Sequence, residues 1–145
     1  MRVSYITHYA HLLSPSADAV CITKTCSALS RVGVDVELVI PKKKRNDSTP
    51  ITEQQIWDYY AISTPFPITW LPGSLYKLGF PGRLAYKTIS VLYAVFQKDA
   101  IRYFRHVETA LFSSLFAGNT VLAYHDLSFL ENSALMKLLI RISHQ

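Results

Sequence analysis

The first forty-one residues constrain this chain most, because they follow the order strand, loop, helix, strand. Arg2–Thr7 is a short apolar run, a helical pattern then stops at Gly33, and Asp35–Pro41 is again typical of a strand. This order predicts one βαβ unit, and therefore a parallel sheet. In such sheets ligands bind outside the carboxyl ends of the strands, so the loop His8–Ser16 is the first place to look for function.

The rest of the chain continues the alternation of strands and helices. Ser14 or Ser16 is expected to cap the first helix, and Thr52 with Gln55 forms a capping box that starts a second helix. The later predicted elements are a strand toward the sheet edge at Ile68–Leu71, a helix from Leu84 after a loop at Gly73–Gly82, a strand at Ala100–Phe104, a helix at Val107–Ala117, a strand buried on both faces at Thr120–Tyr124, and a helix from about Ser133.

This order predicts an α/β fold of the doubly wound kind. The expected architecture is a mainly parallel, five-stranded, Rossmann-like sheet with helices on both faces, and residues 1–145 form a single domain. The last helix has no stop signal before Gln145, so the chain is expected to be truncated within it.

Composition excludes several classes of protein. Half of the residues are apolar, which is enough for one core, and no apolar run is long enough to span a membrane or to form a signal peptide. The net charge is +5, but the basic residues cluster only at Lys42–Arg45, which is more typical of a solvated loop than of nucleic-acid binding. Cys21 and Cys26 lie five apart on a helix, so they form no CxxC pair and are predicted to be buried thiols of a cytoplasmic protein.

Four of the five histidines follow predicted strand ends. Because the carboxyl ends of parallel strands share one edge of a sheet, these side chains are expected to lie near one another and to mark a site. The alternative is that polar residues simply gather where loops begin. The residues concerned are His8, His11, His106 beside Arg105, and His125 beside Asp126, with His125 as the first candidate.

Other kinds of site have weaker sequence signals. His8, His11, His125 and Asp126 contain zinc-ligand types, but their spacing does not enforce a site, and no metal is predicted. Neither GxGxxG nor GxxxxGK[ST] occurs, which leaves only the helix N-terminus after Ser14-Pro15-Ser16 as a phosphate site, and no cofactor is expected. Arg105 either clamps an anion or pairs with Glu108.

Several blocks, in order, resemble the N-terminal domain of the family 4 glycosyltransferases, which have the GT-B fold. The resemblance covers the whole chain. The blocks are MRVSYITHY, SPSADAV, LSRVGVDVELVIP, IWDYYAI, FPITWLP, DAIRYFRH and TVLAYHDL.

The resemblance implies an acceptor-binding half of a retaining enzyme that transfers a sugar from a nucleotide-sugar, without an essential metal. The acceptor would be a polysaccharide or a glycolipid. The family's histidine near the donor sugar corresponds to His125, and its donor-phosphate loop corresponds to Ser14, Ser16 and Ala17. The residues expected on the acceptor side are His8, His11, Arg105, His106 and Asp126.

Two departures from the family pattern limit this expectation. Ser-Pro-Ser-Ala stands where many members have paired glycines, and the C-terminal GT-B domain that holds the nucleotide is absent from this sequence. The chain alone is therefore expected to be inactive, as a fragment or a split subunit. The alternative function is a non-catalytic α/β interaction module.

A peripheral membrane contact is a further expectation. The basic residues Lys42, Lys43, Lys44 and Arg45 follow the second predicted strand, and the apolar loop Leu75–Phe80 follows the third. Both would then lie at one edge of the sheet and could contact an anionic bilayer on the inner face of the membrane.

Overall fold

A computed structural model describes residues 1–8, 12–42, 50–73, 78–97, 99–116 and 119–122 of the chain, without the side chain of Glu108. Strands and helices alternate along these ranges. In chain order the elements are β1 Arg2–Ile6, α1 Ala17–Arg31, β2 Asp35–Pro41, α2 Glu53–Tyr59, β3 Ile68–Leu71, α3 Gly79–Phe96, β4 Ala100–Phe104, α4 Val107–Ser114 and β5 Thr120–Leu122.

The strands form one five-stranded sheet in the order β3-β2-β1-β4-β5, and every pairing is parallel. The chain steps outward from β1 to β3, then returns past β1 and continues on its other side with β4 and β5. The predicted parallel α/β fold is confirmed, as is the edge position of β3. The direction of winding reverses between β1 and β4, and this is the switch point at which open α/β sheets bind ligands.

Side chains alternate between the two faces of the sheet, and helices cover both faces. On one face Tyr5 and Leu38 pack with Ile22 of α1 and Ile56 of α2. The opposite face packs under α3 and α4, where the core is formed by Ile6, Val39, Tyr86, Ala94, Phe104 and Ala110. Two apolar layers thus hold the sheet between two pairs of helices.

Local signals explain where α1 and α2 begin and end. The Ser16 hydroxyl accepts a hydrogen bond from the Ala19 N–H at 3.3 Å, which caps α1, and Gly33 follows the helix with a φ of +82°. Thr52 and Gln55 form both halves of the capping box of α2. The predicted caps are confirmed.

The predicted start of α3 is wrong. The helix begins at Gly79 instead of Leu84, so part of the predicted loop Gly73–Gly82 is helical. Pro81 lies in the first turn of the helix. Backbone N–H groups in the first turn have no intrahelical acceptor, so proline, which has no N–H, loses no helix hydrogen bond there.

The end of the described chain is also more exposed than predicted. Val121 of β5 is 44% exposed because β5 lies at the edge of the described sheet, beside β4 alone. The prediction that β5 is buried on both faces is therefore wrong for residues 120–122, and Tyr124 lies outside the described residues. The helix α4 ends at Ser114, before the predicted Ala117.

The two cysteines differ in environment. Cys26 is buried, as predicted, but Cys21 is exposed, so the prediction of two buried thiols is half wrong. Five residues on a helix correspond to about 140° around its axis, so a helix that buries one thiol turns the other away from the core. No helix in the described ranges is long and apolar enough to cross a membrane.

Candidate functional site

The candidate site lies at the switch point, just beyond the ends of β1 and β4. These strands pair in register as far as Ile6 and Phe104, so the residues two positions further on, His8 and His106, lie level with each other. Their imidazole rings stack, with centroids 4.4 Å apart and an angle of 10° between the ring planes. The structure therefore brings together two of the histidines that follow predicted strand ends.

The hydrogen bonds of Ser90 indicate which nitrogen of His8 carries the proton. The Ser90 hydroxyl donates to the Lys87 carbonyl oxygen at 2.8 Å, so its own oxygen is left to accept. Nε2 of His8 lies 3.3 Å from that oxygen. The pattern assigns the proton of neutral His8 to Nε2.

His8 is neutral at physiological pH. Its pKa is lowered to about 3, mainly by burial and in smaller part by electrostatic repulsion from the neighbouring His106 and Lys87. His8 therefore acts at neutral pH as a hydrogen-bonding group and not as a cation.

Helix α3 supplies one wall of the site. The ring of Tyr86 meets His8 edge to face with centroids 5.4 Å apart, and the Tyr86 hydroxyl donates to the Thr7 carbonyl oxygen at 3.5 Å. Tyr86 and Ser90 are both fully buried and lie one helical turn apart. Sequence reasoning missed both residues; the available signal was a serine on the inward stripe of an otherwise apolar helix.

The loop before α1 is held by its own hydrogen bonds. Tyr60 at the end of α2 accepts from the Ser14 N–H at 3.1 Å and donates to the Ser14 carbonyl oxygen at 2.8 Å. The Ser14 hydroxyl in turn accepts from the Ser16 N–H at 3.3 Å. The Ser14 hydroxyl thus stabilises the turn, the Ser16 hydroxyl caps the helix, and Ala17 is the first residue of α1.

Arg105 connects the end of β4 to the first turn of α1. Its guanidinium donates to the Asp18 carboxylate at 2.6 Å and to the Asp18 carbonyl oxygen at 3.3 Å. The alternative partner, Glu108, has a side chain that lies outside the described part of the chain. Asp18 is more than half exposed, which limits the strength of the ion pair.

Several predicted site residues lie outside the described residues. They are His11, His125, Asp126, the basic residues Lys43, Lys44 and Arg45, and the first half of the loop Leu75–Phe80, residues 75–77. Within the described ranges, no group of three or more His, Cys, Asp or Glu side chains could hold a metal ion.

A second polar cluster lies deeper under α3 and was missed by sequence reasoning. Glu37 of β2 is buried, and its carboxylate accepts from Ser4 at 2.6 Å, Tyr93 at 3.1 Å and Thr69 at 3.2 Å. Arg2 lies 3.6 Å from the same carboxylate. Burial raises the pKa of the Tyr93 hydroxyl, which keeps it a donor. The Glu37 carboxylate is thus bound by groups of the protein itself, and the cluster joins strands β1, β2 and β3 to helix α3.

The fold and the site together define a parallel, doubly wound α/β protein with a stacked histidine pair at its switch point. No family model matches the chain, and no curated protein matches its sequence.

Proposed function

We propose that this chain is the acceptor-binding N-terminal half of a retaining glycosyltransferase. The reaction would transfer a sugar from a nucleotide-sugar to a polysaccharide or glycolipid acceptor. The observation that carries the proposal is the stack of His8 and His106 at the switch point of the sheet. Ligands of open α/β sheets bind at that point, and the block resemblance supplies the class of ligand.

The hydrogen-bonding groups of the site suit an uncharged polyol. His8 is neutral, and the charge of Arg105 is matched by Asp18. Imidazole nitrogens hydrogen-bond hydroxyl groups, which are the groups that a sugar presents. These properties support an acceptor sugar at His8 and His106.

The donor side of the proposal rests on the resemblance. His125 would approach the donor sugar, and the loop with Ser14, Ser16 and Ala17 would approach the donor phosphates. Because both serine hydroxyls already accept backbone N–H groups, the loop would meet phosphates through the N–H groups of the first turn of α1. A second GT-B domain would hold the nucleotide, so we expect the chain alone to lack transferase activity.

The proposal is tested by NMR on the purified chain with labelled histidines. We expect candidate glycan acceptors to shift the imidazole resonances of His8 and His106, and nucleotide-sugars alone to leave them unchanged. Each of His8→Gln and His106→Gln should weaken glycan binding about three- to tenfold, since each removes hydrogen bonds to hydroxyl groups. Gln54→Ala on α2 serves as the matched control and should bind as the unmodified chain does.

A folded chain whose histidine resonances respond to no glycan would contradict the acceptor role. That result would favour the second candidate function, a non-catalytic interaction module. The observation in favour of a module is the set of large apolar side chains exposed on α3, on α4 and just after α4, among them Phe96 and Phe116.

A further inference from the structure

The outward side of α3 carries exposed apolar side chains in both halves of the helix. Its buried residues Gly82, Tyr86, Ser90 and Ala94 form one series at four-residue spacing. Positions 80, 84, 88, 92 and 96 form a second series, offset by two residues and hence by about 200° around the helix. Apart from Thr88, this second series consists of exposed Phe80, Leu84, Leu92 and Phe96, of which Phe80 is 80% exposed and Phe96 78%.

Helix α4 packs beside α3, and large apolar side chains are exposed on α4 and just beyond its end. Phe112 of α4 is half exposed, and Phe116, two residues beyond the end of the helix, is 70% exposed. We define the α3–α4 surface as Phe80, Leu84, Leu92, Phe96, Phe112 and Phe116. Large exposed apolar patches are uncommon on proteins that work without a partner, so a surface with four phenylalanines indicates an interaction site.

The charges beside this surface indicate the kind of partner. Helix α3 carries Arg83 and Lys87 and no acidic residue, α4 adds the single acid Glu108, and the whole chain has a net charge of +5. A second copy of the chain would bring its own Arg83 and Lys87 to the rim of the contact. Anionic headgroups would instead neutralise these cations, while the phenylalanines enter the boundary of the acyl chains.

We propose that the α3–α4 surface docks the protein on an anionic lipid bilayer. The two helices lie flat on the membrane, with Phe80 and Phe96 at the two ends of α3 and Phe116 beside them. This contact is separate from the histidine pair and does not depend on the proposed transferase function. It also differs from a contact through Lys42–Arg45, because the side chains involved lie on α3, on α4 and just beyond the end of α4.

The test is flotation of the purified chain with vesicles of phosphatidylcholine, with and without phosphatidylglycerol. We expect the chain to float with the anionic vesicles and to be released by high salt. The double variant Phe80→Ser/Phe96→Ser should bind roughly 100-fold more weakly, because burial of each Phe is worth on the order of a tenfold factor or more. Arg83→Glu should weaken binding to anionic vesicles and leave the weak binding to phosphatidylcholine unchanged.

The matched control is Val32→Ser, because Val32 is 72% exposed beyond the end of α1, on an element that packs on the opposite face of the sheet. This variant should float as the unmodified chain does. Circular dichroism confirms that each variant is folded before flotation. Failure of the unmodified chain to float, or equal flotation of the double variant, would overturn the proposal. So would a dimer in analytical ultracentrifugation that the double variant abolishes, because the surface would then be a contact between copies.

Discussion

At the scale of single residues, His8 shows how position in the fold decides the chemistry of a side chain. An isolated histidine titrates near neutral pH, but stacking on His106 and burial against Tyr86 make a charge on His8 costly. The same ring in a solvated loop would be half charged at pH 6.5. Its packing converts a pH-sensitive group into a neutral hydrogen-bonding one.

This burial predicts an acid-sensitive stability. The pKa of His8 is about 3 in the folded chain and near 6.5 in the unfolded chain, so the unfolded state binds more protons between these values and stability falls as the pH falls through that window. Protonation of His8 in the unfolded chain should by itself lower the free energy of unfolding by roughly 2 kcal/mol between pH 7 and pH 5. Urea denaturation at both pH values measures the difference.

The variant His8→Gln keeps a donor near the position of Nε2 and cannot be protonated. Its loss of stability between pH 7 and pH 5 should be smaller than that of the unmodified chain by this amount. His106→Gln is the control and should keep most of the loss, since burial is the main cause of the shift at His8. An unchanged loss in His8→Gln would contradict the assignment.

At the scale of elements, the loop before α1 is held in place by α2 and not by its own residues alone. Leu13 has a φ of +65°, a conformation that is unfavourable for leucine and that must be maintained by surrounding contacts. Those contacts include the burial of Leu12 and the two hydrogen bonds between Tyr60 and the backbone of Ser14. The first βα loop is thus attached to the helix that follows the second strand.

Removal of the Tyr60 hydroxyl should loosen this loop. Tyr60→Phe leaves the N–H and the carbonyl oxygen of Ser14 without this partner and should cost about 1–2 kcal/mol of the free energy of unfolding. The neighbouring Tyr59 is half exposed, and Tyr59→Phe should change stability by less than about 0.5 kcal/mol. Urea denaturation measures both, and faster hydrogen exchange at the Ser14 amide in Tyr60→Phe alone would locate the effect.

At the scale of the whole molecule, Glu37 joins four elements across one layer of the core. Its carboxylate receives hydrogen bonds from β1, β3 and α3 while its own backbone belongs to β2. Arg102 of β4 is buried beside this layer and donates to the carbonyl oxygens of Ala94 and Gln97, which satisfies the end of α3. The hydrogen bonds of Glu37 and Arg102 therefore join the sheet to α3 beside the apolar core.

Truncation of Glu37 should destabilise the whole domain. Glu37→Ala leaves the Ser4, Thr69 and Tyr93 hydroxyls without their acceptor and should cost about 2–4 kcal/mol of the free energy of unfolding. Asp35→Ala is the control on the same strand, because Asp35 is exposed, and it should cost less than about 0.5 kcal/mol. Equal effects of the two substitutions in thermal or urea denaturation would show that the network does not stabilise the fold.

The sequence by itself determined the parallel α/β class, the bounds of β2, β3 and β4, and the cap at Thr52, because periodicity and capping depend on neighbouring residues. It limited the cap of α1 to Ser14 or Ser16, and the structure decided for Ser16. It did not determine the strand order or the early start of α3. The contact of His8 with His106, the pairing of Arg105 with Asp18 and the network around Glu37 came only from the tertiary structure. Each of these contacts joins residues more than thirty positions apart, and no local pattern specifies which distant partner a polar side chain will meet.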